Sequence, residues 1–332
     1  MRAAVLTRTR PIAERPLEVT SIPTPPVQPG YVLLKVRACG VCRTDLHIVE
    51  GELPALRSNV TPGHQIVGDV VDGATADLPS GTRVGVSWIG GTDGTCRYCR
   101  SGQENLCDSP TFTGYSVDGG YAEYALARND FVFPLPASLD DVHAAPLLCA
   151  GIIGFRSLRV AGVTPGDRVG LFGFGASAHL AIAVLHAWNC EVYVSTRGES
   201  HQQLASKLGA KWVGTEADRP PVELDRAVTF APSGDVVITA LSSLRKGGIV
   251  AINAIHLDRM PEFSYDLLWK ERSLRSVANF TRRDAREFLE LAAAIPIQAE
   301  TTVFSLDDAP KALAQLEEGA IRGSAVLDIA GS

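Results

Sequence analysis

The chain reads as an α/β protein in two parts. A β-rich, barrel-like domain comes first, and a doubly wound parallel-sheet domain follows. Three observations predict this. Up to about Cys149 the sequence is rich in Gly, Pro and Val, with short apolar runs between turn residues. From about Gly151, strand-like runs alternate with helix-like segments, which is the pattern of βαβ units. A glycine-rich turn, Gly173-Phe174-Gly175-Ala176-Ser177-Ala178, follows the apolar run Arg168 to Phe172. A length of 332 residues is enough for two domains and a large core.

In chain order, Tyr31 to Ala38 and Ile66 to Val71 read as strands, each bounded by turn residues. In the second half Arg168 to Phe172 is strand and Ala176 to Trp188 helix. Glu191 to Ser195 is strand, Ser200 to Leu208 helix, and Asp225 to Phe230 strand. Gly234 to Leu244 is helix and Gly247 to Asn253 strand. The tail pairs a helix, Leu306 to Glu318, with a strand, Ser324 to Ile329, and is expected to return to the first domain. There is no internal repeat or low-complexity segment.

A formal net charge of −6 and a mean hydropathy near zero give no reason for nucleic-acid or membrane-surface binding. No apolar run reaches the roughly 18 residues of a spanning helix. Met1 to Leu6 lacks the long apolar core and cleavage site of a signal peptide, so a cytoplasmic location is expected. The seven cysteines cluster with His and Asp. That favours a reducing compartment and metal binding over a disulfide scaffold.

The Cys and His residues sort into two groups. Cys42, His64 and Cys149 are far apart, while Cys96, Cys99 and Cys107 crowd one loop. Catalytic zinc sites gather few ligands and keep one position open, whereas structural sites are closed. Taken singly, the residues leave alternatives. Cys39 and Cys42 form a CxxC that suits a redox pair. His64 suits a satisfied loop histidine, and Cys149 a buried thiol. An empty lobe would leave three oxidisable thiols. Cys190, in an apolar strand, reads as a structural thiol.

The segments Cys39-Gly40-Val41-Cys42-Arg43-Thr44-Asp45-Leu46-His47, Pro62-Gly63-His64-Gln65 and Ala145 to Gly151 together resemble the zinc-dependent alcohol dehydrogenases of the medium-chain dehydrogenase/reductase family. The likeness is greatest to the bacterial type that prefers primary alcohols, and it covers essentially the whole chain. It implies a GroES-like catalytic domain, 1–152 with 296–332, and a Rossmann dinucleotide domain, 153–295. It implies Cys42, His64 and Cys149 as ligands of a catalytic zinc. Asp45 would fix the histidine tautomer. Thr44 would bond the substrate oxygen, and His47 would end a proton relay through the cofactor ribose. One position departs from the pattern: Gln65 stands where Glu is usual, which makes the site more electrophilic and removes a carboxylate from ligand-exchange schemes.

Asp93 to Cys107 resembles the family's structural-zinc lobe, with Asp93 in the first position before Cys96, Cys99 and Cys107. A carboxylate ligates zinc at ordinary distances. Arg97 and Arg100 would offset the excess negative charge. Two zincs per chain are therefore expected. Trp88 and Ile89 match positions that line the substrate cleft, which would favour small unbranched alcohols. Phe112 and Tyr115 are weaker candidates.

Gly173-x-Gly175-x-x-Ala178 is a GxGxxA fingerprint. The first glycine permits the turn, the second the approach of the pyrophosphate, and Ala178 the packing of helix on strand. The helix from Ala176 presents N–H groups to the phosphates. An acid usually follows about twenty residues on to bind the ribose diol. Here Thr196 and Arg197 stand instead, which favours NADP(H) over NAD. Ser324 replaces an Arg that holds the pyrophosphate in relatives, and Arg322 lies nearby.

The expected activity is hydride transfer between a primary alcohol, or a secondary one, and a nicotinamide dinucleotide, in a homodimer or homotetramer. The rivals are a zinc-independent quinone or enone reductase of the same fold and a non-catalytic zinc- or nucleotide-binding protein. The intact Cys42, His64 and Cys149 oppose the first rival. Thr44 and His47 oppose the second.

Overall fold

The computed structural model describes residues 1–254, 257–297 and 299–331. The chain divides into two compact units. One comprises Met1–Cys149, Phe280–Ala293 and Gln298–Ser332, and the other Ala150–Asn279 and Ala294–Ile297. The helix Arg282–Ala294 therefore clusters almost wholly with the first unit, although the boundaries read from the sequence leave it in the second.

The first unit is organised by one long strand, Tyr31–Val41. Its run of apolar residues is buried nearly throughout, because it has strands on both sides. It pairs antiparallel with Gln65–Asp72, with Tyr124–Arg128 and with the C-terminal strand Ser324–Asp328. The tail thus does return here, with Leu327 opposite Cys39. Arg83–Val86 and Val132–Pro134 extend the sheet on one side and Thr301–Ser305 on the other. The core is aliphatic: Leu34, Val36, Ile66, Val70, Val84 and Leu327 pack together.

The second unit is a six-stranded parallel sheet. Its spatial order is Trp212–Gly214, Glu191–Ser195, Arg168–Phe172, Leu224–Thr229, Leu244–Ile252 and Ser273–Ser276. The first strand in sequence lies third in space, and the order reverses beside it. Such a switch point is where doubly wound sheets bind ligands, outside the carboxyl ends of the strands. Ala176–Ala187 is apolar on nearly every face, as a helix over a sheet centre must be. Gly154 lets the helix Ile152–Ala161 approach it, since a Cβ there would lie 2.8 Å from the Ser177 carbonyl oxygen.

Two differences from the sequence reading have clear causes. The helix expected to reach Leu244 stops at Ser242, because Leu244 already pairs with Leu224 in the sheet. The apolar stretch Asp141–Ala161 forms a 21-residue helix, long and apolar enough by composition to cross a membrane, contrary to the expectation of no such run. In its apolar window 72% is buried within the protein, so it is a core helix. Its middle, Leu147–Gly151, is a π-turn just after Pro146.

Candidate functional site

The central cluster is assembled from three separate places in the first unit. Cys42 closes the long strand and caps the helix Arg43–Glu50. His64 follows the Pro62-Gly63 turn that leads into the strand Gln65–Asp72. Gly63 has φ +95°, and a Cβ on it would lie 2.3 Å from the Tyr121 ring. Only glycine fits both the angle and the space. Cys149 lies in the π-turn, a feature that recurs at functional sites. The turn is seated by Leu148, whose carbonyl accepts from the Ser87 hydroxyl and whose side chain fills the space over Gly85. The three candidate ligand atoms lie within 4.8 Å of one another.

Beneath them Asp45 is fully buried and takes four donors. These are the Cys42 N–H at 2.8 Å, the Gly63 N–H at 3.2 Å, the Tyr121 hydroxyl at 3.2 Å and His64 Nδ1 at 2.9 Å. Placement in the first turn of a helix adds the favourable dipole. With Nδ1 held, His64 Nε2 is buried and, among the described residues, has no hydrogen-bond partner. A buried polar atom without a partner requires an explanation. Beside two cysteine sulfurs, a soft cation supplies one, so the donor set fits zinc.

Charges are tightly linked here. Hydrogen bonding from Cys149, working against burial, holds the Cys42 thiol well below its ordinary range. The same contact, with burial, pushes Cys149 up. Burial works to lower His64, but the charge and hydrogen bond of Asp45, with Cys42, hold it up at about 10. Protonation is thus linked across the cluster. A cation entering it displaces protons.

The Thr44 hydroxyl lies 3.8 Å from Cys42 Sγ. His47 is three residues on, on the same helix face, and its Nδ1 lies 2.5 Å from Glu52 Oε2. Trp88 meets His64 edge to face at 5.3 Å and stacks on Phe112 at 4.8 Å and Tyr115 at 6.0 Å. Ile89 is the next residue along and opens the short strand Ile89–Gly91. It is buried, and its strand pairs it with Phe112 of this aromatic ledge. Gln65 is buried too, its side chain covering Gly40.

The second cluster is local. Asp93 Oδ1 accepts the N–H groups of Thr95 and Cys96 at 2.7 and 2.8 Å, and Oδ2 lies 3.2 Å from Cys107 Sγ. The Cys99 N–H donates to Cys96 Sγ at 3.5 Å. The four candidate ligand atoms again lie within 4.8 Å. Backbone N–H groups of Cys99 and Asp108 lower Cys96, while burial pushes Cys99 up to about 11. Arg97 folds over the Tyr98 ring at 4.6 Å, and backbone amides of the loop compensate negative charge on Asp93 and Cys96. The lobe is tied down through Glu104, which accepts the Arg282 N–H at 2.8 Å.

In the second unit, Gly173 has φ +89° and would crowd the Ala231 N–H with any Cβ, whereas Gly175 opens on empty space. Ala178 is buried against the sheet. Thr196 and Arg197 stand just past the strand Glu191–Ser195. Thr196 is buried, and its hydroxyl accepts the Phe174 N–H at 3.2 Å. It braces the glycine turn from beneath. Arg197 is exposed but ion-paired with Glu216. Ser324 is buried at the start of its strand, and Arg322 is exposed in the preceding turn.

Tyr121, Glu52 and Glu216 are absent from the sequence reading. Each meets its partner only through the fold: Tyr121 lies 76 residues from Asp45, and no local pattern marks it.

Residues 28–137 match the family profile described as alcohol dehydrogenase GroES-like domain. The chain is 46% identical to the "Probable alcohol dehydrogenase AdhA" of Mycobacterium tuberculosis, over 98% of this chain and 97% of that one. It is 32% identical to an alcohol dehydrogenase of Geobacillus stearothermophilus, over 99% of each. Among solved structures it resembles the acetophenone reductase of Geotrichum candidum in complex with NAD, with a TM-score of 0.85 and 27% identity, over 99% of this chain and 97% of that one. With a Cys2His cluster in a GroES-like unit and a glycine turn at a parallel-sheet switch point, the chain belongs to the zinc-dependent alcohol dehydrogenases of the medium-chain dehydrogenase/reductase family.

Proposed function

We propose that Cys42, His64 and Cys149 hold a catalytic zinc at which a primary alcohol, or a secondary one, and its carbonyl product are interconverted with a nicotinamide dinucleotide. The observation that carries this is the buried His64 Nε2, without a hydrogen-bond partner among the described residues, while Asp45 holds Nδ1. When bound, zinc polarises the substrate oxygen and the nicotinamide exchanges the hydride. Two thiolates and a neutral imidazole balance a dication's charge. Asp45 keeps the His64 tautomer fixed. Thr44 orients the substrate hydroxyl and takes its proton while giving up its own, and His47, beside Glu52, hands the released proton to solvent.

Asp93, Cys96, Cys99 and Cys107 hold a second, structural zinc. The first unit serves metals and substrate. In the second, Gly173, Gly175, Ala176 and Ala178 receive the dinucleotide pyrophosphate. The Trp88 ledge narrows the approach, which favours small unbranched alcohols. Seven unpaired cysteines support a reducing cytoplasmic setting. Exposed Met260, Tyr265 and Trp269 in one segment support assembly as a homodimer or homotetramer.

The test is a series of initial rates with short primary alcohols and both dinucleotides, on protein assayed for zinc. Turnover with about two zincs per chain is expected. No turnover in either direction, at full zinc, would move the assignment to a binding protein.

A further inference from the structure

The carboxyl ends of three neighbouring strands converge beside the glycine turn. The Gly173 N–H donates to the Ser195 carbonyl at 2.7 Å, and the Thr196 N–H donates to the Gly214 carbonyl at 3.0 Å. The segments Gly173–Gly175, Thr196–Gly198 and Gly214–Glu216 are therefore side by side. This is the rim where a doubly wound sheet receives the adenosine half of a dinucleotide. Whatever charge stands on this rim reads the ribose.

Arg197 stands there with its side chain 77% exposed, and its guanidinium is ion-paired with Glu216, which is only 19% exposed. The loop that bears the carboxylate is held in place at Thr215. The Ser195 hydroxyl donates to the Thr215 carbonyl at 2.7 Å, and Asp218 accepts the Thr215 N–H at 2.8 Å. Thr196, in the usual place of the ribose acid, is buried under the turn. The rim thus carries one positive and one negative group, and the negative one comes from the loop after the third strand of the βαβ series.

We propose that Glu216 sets the discrimination between NAD(H) and NADP(H). This rests on the dinucleotide reading given above. A carboxylate accepts hydrogen bonds from a ribose diol but repels a 2′-phosphate, which carries nearly two negative charges. Glu216 also occupies the guanidinium that would otherwise pair with that phosphate. Glu216 is therefore a positioning residue for Arg197 as well as a direct reader of the ribose. The positive charge of Arg197 is not, by itself, a signature of NADP use.

The test is the dissociation constants of NADH and NADPH, read by fluorescence of the bound reduced nicotinamide, for the zinc-loaded wild type, Glu216→Gln and Glu216→Gln combined with Arg197→Gln. The ratio of the two constants is indifferent to general damage, because the ligands differ only in the 2′-phosphate. In Glu216→Gln it should shift at least about tenfold towards NADPH, about 1.4 kcal/mol. Adding Arg197→Gln should remove most of that shift. An unchanged ratio, with both ligands still bound, overturns the assignment of Glu216. A wild type that binds neither ligand overturns the dinucleotide reading, and this inference with it.

Discussion

The two clusters of metal donors lie in one unit yet are built in opposite ways. The lobe draws its four donors from residues 93–107, and its charges are balanced by backbone amides a few residues away. The central cluster draws three donors from residues 42, 64 and 149 and is braced through His64 by one buried carboxylate with four donors of its own. A local loop needs a cation to hold it closed. A cluster delivered by a strand end, a turn and a helix is held by the fold, and its cation is free to serve chemistry. Ligand losses should therefore damage stability in the lobe and activity in the centre.

The largest expected effect is at the centre. Cys42→Ser should lower turnover by at least about 10³-fold and remove one zinc per chain, with thermal stability nearly unchanged. Zinc analysis, rates and calorimetry on the same preparation check this, and a collapse of stability would erase the contrast. Next comes the lobe. Asp93→Ala should lower the melting temperature by about 5 °C or more while the rate per centrally loaded chain stays within about twofold. Unchanged stability and zinc content would remove Asp93 from the ligand set.

Two smaller effects sharpen the same comparison. Tyr121→Phe removes one of the donors to Asp45 without emptying space, so central zinc affinity should fall about tenfold and lobe affinity not at all. Competition with a chelator separates the two sites. Asp140→Ala removes the N-cap of the helix that delivers Cys149, at about 1 kcal/mol. Burial would raise the Asp140 carboxyl, but the His143 N–H and ring bring it below its usual value. Its contribution is therefore present at neutral pH and lost as pH falls through the carboxylate range. Wild type and variant should converge in stability below about pH 4, by urea melts at stepped pH.

The readable and unreadable parts divide along physical lines. The strands around the glycine turn were legible because each is a short apolar run bounded by breakers, and their order follows from βαβ connection rules. Trp212–Gly214 escaped because three residues carry no periodicity. The donor residues were legible as chemistry-bearing types in familiar spacings. Tyr121, Glu52 and Glu216 were not, since each matters only through a neighbour brought by the fold. For Thr196 the sequence shows where the residue stands after its strand but not that its side chain is covered.

The π-turn at Leu147–Gly151 sets the phase of one helix. One residue more than a regular α-helix would hold is accommodated there, and Cys149 sits inside that surplus. Each α-helical residue advances the side chain by about 100°. Deleting a single residue from this stretch would give a more regular helix with better backbone bonding, and would swing its continuation by more than a quarter turn. The regular helix would be the inactive one. The irregularity works as a phase correction that aims a thiol at two donors more than eighty residues upstream.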